Sequence, residues 1–531
     1  MIKKIANFFN IASSYFNQRI YLDNNEKNFI KFNKKKWKTK IESEKGIILV
    51  DLFPWYPWIY FWSYLSNIIS NKHNLKIKYF YFDFYQTKGS KIRLYIQKLK
   101  KIYNSFNATE GLVEYDFSYS IEEKNIFEKK ISRIKKKSDL INYRVNNLVL
   151  GDLIYDYYVR TTYEPTLKIK DIRFKKIFFR ANKIFREVNQ YFKENDIKII
   201  IPSHLCYITY GIITRIALSK NITVLKLRTE NRGNSSFRLM KIDKHCVDEP
   251  QYYYHKKKFK KLSNLKKKLA LKIGKEILIK RTSGKFDPTL PYIKSSQFKD
   301  KKYFFKGLDK KKEKIIIFPH CFYDYPHRYR SMIFNDFYEH AIYFMKTSKS
   351  LDKYDWLYKP HPHSLSGHID IHKHLLKKFP NIKYIPKEVS HTQLLSLNLK
   401  CVITNHGTVA HEYAAHGVPA INTGDNPHIN YNFSLNVKSI KELDNVMKNL
   451  DLHLKKIKIN MKDIYEFLYM HYTYPNLEIK EQKLIKDSFF ANKNISLNNS
   501  STVLKYLSKI DKKNDKNIKK YINSFLYHNN L

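Results

Sequence analysis

Residues 401–422 read Cys-Val-Ile-Thr-Asn-His-Gly-Thr-Val-Ala-His-Glu-Tyr-Ala-Ala-His-Gly-Val-Pro-Ala-Ile-Asn. Cys401 to Thr404 is a short apolar, β-favouring run and reads as a buried strand. Asn405-His406-Gly407 reads as a tight turn in which Gly407 takes a backbone shape that other residues resist. Thr408 is placed to cap a helix over Val409 to His416, and Gly417 and Pro419 stop that helix before the next strand at Ala420. A strand–turn–helix–strand unit of this kind belongs to a parallel α/β sheet, and its helix N-terminus offers free N–H groups to a phosphate.

Working back from this unit, the same alternation recurs. Lys314 to Phe318 reads as a strand, followed by a long loop through His320, Asp324 and His327, and a helix over 334–345. Trp356 to Lys359 is a strand that runs into Pro360-His361-Pro362-His363. Upstream lies a second series. Gly46 to Asp51, Lys76 to Asp83, Ile197 to Pro202 and Ile222 to Leu227 read as strands separated by helices, with Ser203-His204 at the exit of the third. The expected architecture is α/β, with two Rossmann-like domains facing across a cleft. The boundaries are a basic lead-in over 1–44, a first domain over 45–240, a helical connector over 241–312, a second domain over 313–490 and a polar tail over 491–531.

Size and composition agree with two packed cores. The 531 residues include 43% hydrophobic side chains, among them 35 Phe and 42 Tyr, too many for a disordered chain. Lys and Arg number 99 against 48 Asp and Glu, a formal net charge of +51. Such a surplus attracts phosphates, nucleic acid or anionic lipid. A Lys-, Asn- and Ile-rich chain with 13 Gly and 16 Pro also fits compositional drift. The four cysteines (Cys206, Cys246, Cys321, Cys401) form no CxxC pair, which points to a reducing compartment without a disulfide framework. Met1 to Ala12 reads as a short amphipathic helix rather than a signal peptide. Leu52 to Asn71 is uncharged, but Pro54, Pro57 and its aromatic character favour a buried helix over a membrane span.

In an open parallel sheet, ligands sit outside the carboxyl ends of the strands. Five groups occupy such positions: Asp51; His204; His320 with Asp324; Lys359 with His361; and His406, Gly407 and Thr408 with Glu412. Lys359 and His361 flank a stiffening proline and can grip a leaving phosphate, with His406, Gly407 and Thr408 adding donors. Glu412 lies one helical turn after Thr408 and can accept from a ribose diol. Asp324 is a candidate general base with His320 as its partner, and Asp51 and His204 are candidates on the acceptor side. For each the plain alternative is an ordinary strand-exit loop. The histidines at 361, 363, 368, 372 and 374 contain no HExxH pattern, so no metal site is expected.

Lys359-Pro360-His361-Pro362, followed some forty residues later by Gly407-Thr408 with Glu412 and then Gly417-Val418-Pro419, resembles the donor domain of two-domain GT-B glycosyltransferases. The likeness is to capsule and surface polysaccharide biosynthesis proteins, including Kdo- and sialyltransferase-like members with a His-Pro motif. Gly151 to Asp156 and Ser203-His204 resemble stretches of the N-terminal half of such proteins. The resemblance implies an acceptor in the first domain, a nucleotide-activated sugar in the second, and no metal or cofactor. It implies a donor-phosphate contact for His361, phosphate or sugar binding for Thr408 and a nucleotide contact for Glu412. An Asp/Glu-Asp/Glu-Gly motif found in some sialyltransferase-like families is not evident here, which leaves the base open between Asp324 and a first-domain residue. Sugar-nucleotide epimerases and glycerophosphate polymerases share this fold. A basic nucleic-acid-binding protein is the alternative from another class, although no helix-turn-helix, zinc pattern or RNA-recognition signature is present. The expected partners are a nucleotide-sugar donor, a glycan or lipid-linked acceptor and an anionic membrane surface met by Trp55, Trp58 and Trp62. The expected location is cytoplasmic, at the inner membrane face.

Overall fold

The computed structural model describes residues 21–38, 45–84, 90–114, 118–230, 236–243, 253–283, 298, 305, 307–328, 331–361, 367–473 and 500–531. The helix expected near Met1, together with Cys246, His363 and the stretch 474–490, lies outside them. The first sheet takes β1 (Ile47–Asp51), β2 (Lys76–Tyr81) and β3 (Thr109–Val113). A small antiparallel hairpin follows, β4 (Arg144–Val145) and β5 (Leu148–Val149). The first sheet then continues with β6 (Ile197–Ile201), β7 (Thr223–Glu230) and β8 (Ser236–Lys241). Its order is β3-β2-β1-β6-β7-β8, parallel except for the β7–β8 pair.

The second sheet contains β9 (Lys314–Ile317), β10 (Asp355–Tyr358), β11 (Ile382–Tyr384), β12 (Leu399–Thr404), β13 (Ala420–Asn422) and β14 (Ser434–Asn436). It is ordered β11-β10-β9-β12-β13-β14 and parallel throughout. Both are doubly wound sheets, and the chain forms two Rossmann-like domains. In each, the order reverses beside the first strand, between β1 and β6 and between β9 and β12, where a crevice opens at the strand ends. The central strands are near-continuous aliphatic runs because helices cover both faces; β1 and β9 are buried along their whole lengths.

Several boundaries differ from those expected. The tail is not a polar fringe: Ser500–His528 is a single helix that packs on the first domain. Ile518, Tyr521, Ile522 and Phe525 enter the same core as Ile59, Phe61 and Leu65. The Tyr521 hydroxyl accepts from the Leu239 backbone N–H at 2.8 Å. The lead-in also belongs to this domain. Its helix Asn24–Lys36 buries Glu26, which accepts from Tyr56 and pairs with Lys98 at 2.9 Å. The aromatic helix Tyr56–His73 is buried on nearly every side, so Trp58 and Trp62 are core residues and present nothing to a bilayer. Among the described residues no helix is long and apolar enough to cross a membrane.

The domains meet through the helix Gly151–Thr162, which seats the turn Pro326–Arg328. There His327 Nδ1 lies 2.6 Å from Asp156 Oδ1. Tyr155 donates to Asp336, and Lys137 reaches Glu339 at 2.6 Å.

Candidate functional site

Asp51 ends β1, and Ser203-His204 leave its neighbour β6, so the first crevice brings all three together. The Asp51 carboxylate accepts from the Ser203 backbone N–H at 3.1 Å and from the Ser203 hydroxyl. The Ser203 oxygen lies 2.9 Å from His204 Nδ1. With the Ser203 proton committed to Asp51, its oxygen accepts from Nδ1–H, and the ring lone pair falls on Nε2. Phe53, Trp58 and Tyr210 surround the imidazole at centroid distances of 5.2, 5.6 and 5.2 Å. Burial raises the Asp51 carboxyl from 3.8 to about 7, against the pull of the two Ser203 bonds. The chain thus runs from a buried carboxyl through Ser203 to a half-buried imidazole.

The second crevice lies at the exits of β9 and β12. The His320 and His406 rings stand 4.4 Å apart, and the His406 backbone N–H points to His320 Nε2 at 3.4 Å. Burial drives His320 down to about 3, helped by His361 and His340. Burial takes His340 to about 3 and His406 well below its ordinary value. These imidazoles are therefore neutral. Arg328, held by Tyr325 at 2.6 Å, is an electrostatic neighbour of both His406 and Asp324. His361 is exposed at the mouth and close enough to depress both His320 and His368.

Asp324 keeps an exposed face, yet the surrounding protein raises its carboxyl against the pull of Arg160 and Arg328. Arg160 comes from the first domain. Tyr207 of that domain meets Tyr325 edge to face at 5.5 Å, joining the two walls. Asp324 therefore sits in the seam between two guanidinium groups. Among the described residues no hydrogen bond joins it to His320, whose Nε2 instead meets the His406 N–H at 3.4 Å and the Thr404 hydroxyl at 3.5 Å, so the expected pairing of His320 with Asp324 is replaced.

Three other expectations change. The Lys359 ammonium is buried, depressed by that burial to about 8, and donates to the Lys387 carbonyl at 2.9 Å. It braces the loop after β10 from inside rather than reaching outward. Gly407 does not need a left-handed conformation; a Cβ there would lie 2.7 Å from Thr404 Oγ1, which accepts the Gly407 N–H at 3.3 Å. The glycine is required by close approach. Thr408 has helical backbone angles and makes no side-chain cap to the short helix Val409–Ala414. Glu412 is buried and accepts from Arg281 of the connector at 2.7 Å.

Under this site a relay of neutral groups fixes the loops. The Phe322 N–H donates to His368 Nε2 at 2.9 Å, His368 Nδ1 meets His372 Nε2 at 3.0 Å, and His372 Nδ1 meets the Tyr358 hydroxyl at 2.6 Å. Burial holds these two imidazoles at about 3 and about 2. The His368/His372 spacing is thus explained by loop bracing. Among the described residues no group of three or more His, Cys, Asp or Glu is arranged to hold a metal ion. Sequence reading missed Ser203 as a link and Arg160, Arg328, His340 and Arg281 as neighbours. Of these only Ser203 carried a signal, its place at a strand exit beside His204.

No protein-family profile and no curated protein sequence matches the chain. Solved structures that align with it include the β-Kdo 2,4-transferase of Thermosulfurimonas dismutans KpsC. That alignment has 12% identity and a TM-score of 0.31, and covers 51% of this chain and 79% of that one. The UDP-GlcNAc 2-epimerase of Neisseria meningitidis aligns at 10% identity and TM-score 0.24, over 82% of this chain and 100% of that one. The wall teichoic acid polymerase TagF aligns at 11% identity and TM-score 0.21, over 99% of both chains. At overlaps this low, the fold rests on the strand orders above.

Proposed function

We propose that the chain is a GT-B glycosyltransferase that moves a sugar from a nucleotide-activated donor to a surface glycan or lipid-linked acceptor at the inner membrane face. The observation that carries this reading is the Asp51–Ser203–His204 chain at one switch point, together with the neutral imidazoles and Arg328 at the other. His204 Nε2 takes the proton of the acceptor hydroxyl as its oxygen bonds to the sugar carbon. The bond from that carbon to the donor phosphate oxygen breaks, and the diphosphate or monophosphate leaves with the electron pair. His361, His406 and Arg328 meet the charge on the leaving phosphate. Glu412, steadied by Arg281, faces the nucleotide. In this reading Asp324 helps hold the seam of the cleft and the base is His204. The nucleotide-sugar is a substrate, and no separate cofactor or metal takes part, so turnover is expected to survive EDTA.

The test begins with thermal unfolding of the full chain against UDP-, GDP-, CMP- and CDP-linked sugars. A ligand at about 100 times its Kd stabilises by about 2.7 kcal/mol. His361→Ala is expected to abolish transfer and weaken that shift while the unliganded midpoint stays put. Unchanged turnover in His361→Ala, or isomerised donor appearing with no acceptor present, sinks the assignment.

A further inference from the structure

We propose that the connector helix Asn264–Thr282 is a docking face for an anionic phospholipid bilayer. This deepens the membrane-face part of the proposed function, but it rests on the outward face of the helix, which holds none of the proposed site residues. The helix packs against Met461–Tyr472 so closely that a Cβ on Gly274 would lie 2.0 Å from the Tyr465 carbonyl oxygen. That approach turns Ala270, Gly274 and Arg281 inward. Arg281 then grips Glu412 and lies 4.8 Å over the Tyr472 ring. The opposite face is fixed outward. It presents Leu265 at 80% exposure, Leu269 at 56% and Ile279 at 57%. On a helical wheel these three fall within about 80° of one another.

Lysines flank this stripe on both sides, Lys268 and Lys275 on one and Lys266 and Lys280 on the other, with Lys272 within it. Glu276 is the one acidic residue of the helix. The preceding helix, His255–Lys260, adds Lys257 and Lys260 and the half-exposed Tyr254 before it. Apolar side chains along a lysine-edged helix, lying flat on the protein, fit the boundary of an anionic leaflet. A nucleic-acid backbone would use the lysines but gives no reason for exposed leucines. Because the inner end of the helix holds Glu412, docking would also set the orientation of the donor crevice relative to the membrane.

The experiment is co-sedimentation of the full chain with vesicles of phosphatidylcholine alone or mixed with phosphatidylglycerol. Wild type is expected to bind only the mixed vesicles, and less as salt rises. The variant Leu265→Gln/Leu269→Gln/Ile279→Gln should partition at least about tenfold more weakly. Lys268→Gln/Lys272→Gln/Lys275→Gln should lose roughly a hundredfold. Both should keep the wild-type unfolding midpoint and donor-induced shift, so that failure here is separable from failure of the transferase reading. Equal binding to both vesicle types, or wild-type binding by the glutamine-for-apolar variant, overturns the proposal. Binding to duplex DNA that the lysine variant loses and the apolar variant keeps overturns it in favour of nucleic acid.

Discussion

The two walls of the cleft use histidine in opposite ways. Both place an imidazole at the exit of a strand beside a switch point: His204 after β6, and His320 and His406 after β9 and β12. On the first wall the ring is wired through Ser203 to a carboxylate whose proton affinity sits at about 7. On the second, the rings face each other and Arg328, and burial keeps them neutral. A wired imidazole has a carboxylate behind it to balance a positive charge taken up during reaction. Neutral ones cannot hold a proton near neutral pH unless an anion arrives, but they can donate N–H bonds to that anion. The same residue type therefore serves proton transfer on one side and charge reception on the other, and the carboxylate makes the difference.

The largest effect should come from cutting the wire. His204→Ala is expected to lower turnover by about 10²–10⁴-fold, the usual contribution of a general base, with donor affinity kept. His406→Ala should instead weaken donor binding together with turnover. Steady-state kinetics with donor titrations would separate the two. The contrast fails if His204→Ala loses donor affinity or His406→Ala keeps it.

Next comes the brace behind the second wall. Arg281→Ala leaves the buried Glu412 charge unpaired, and breaking such a pair costs about 3–5 kcal/mol. Urea or thermal unfolding would measure the loss. Replacing both partners with apolar residues (Arg281→Met with Glu412→Leu) should recover much of it while weakening nucleotide binding. Recovery of stability with unchanged nucleotide affinity would leave Glu412 a purely structural residue.

The Asp51 wire also has a pH signature. The folded chain holds the Asp51 proton up to about pH 7, whereas an unfolded chain releases it near 3.8. Between those values the folded state binds more protons, so this group's contribution to stability falls as pH rises from about 4 to 7. Asp51→Asn removes the ionisation. It should therefore unfold at a higher temperature than wild type at pH 8, with little difference at pH 4, and turn over far more slowly. Unfolding scans at the two pH values check the sign.

The alternation of aliphatic runs and helices made the central strands of both sheets legible, since parallel strands covered on both faces are continuously apolar; the edge strands β3, β8 and β14 lack such runs and were not read. What escaped was everything set by distant packing. Ser500–His528 looks polar because one face of a long helix is solvated, yet its Tyr521 and Phe525 complete the first core. Lys359 looked like a ligand grip because a sequence does not show which way a side chain leaves a strand end. Thr408 has a capping residue's identity without its backbone angles. At the site, position at a strand exit was enough to find Asp51, His204, His320 and His406. Their pairing depends on strand order, and order is a tertiary property: β6 follows β1 by almost 150 residues but lies beside it.

The smallest expected effect tests how deep the second wall's reception of charge goes. His340 is buried, and neither ring nitrogen has a hydrogen-bond partner among the described residues. Its ring packs on Phe334 and Phe344 at 5.5 and 4.9 Å, and it is an electrostatic neighbour of His320 and His406. An unpaired buried polar group costs about 1–3 kcal/mol, whereas an apolar ring of similar shape avoids that cost. Some of the gain is offset by the slightly larger phenyl ring. His340→Phe is therefore expected to stabilise the chain by about 1 kcal/mol, a rise of a few degrees in the unfolding midpoint. If the donor's charge ends at His320 and His406, the variant keeps donor affinity and turnover. A loss of donor binding in a more stable protein would extend the receiving surface inward to His340, behind His320, His361 and His406.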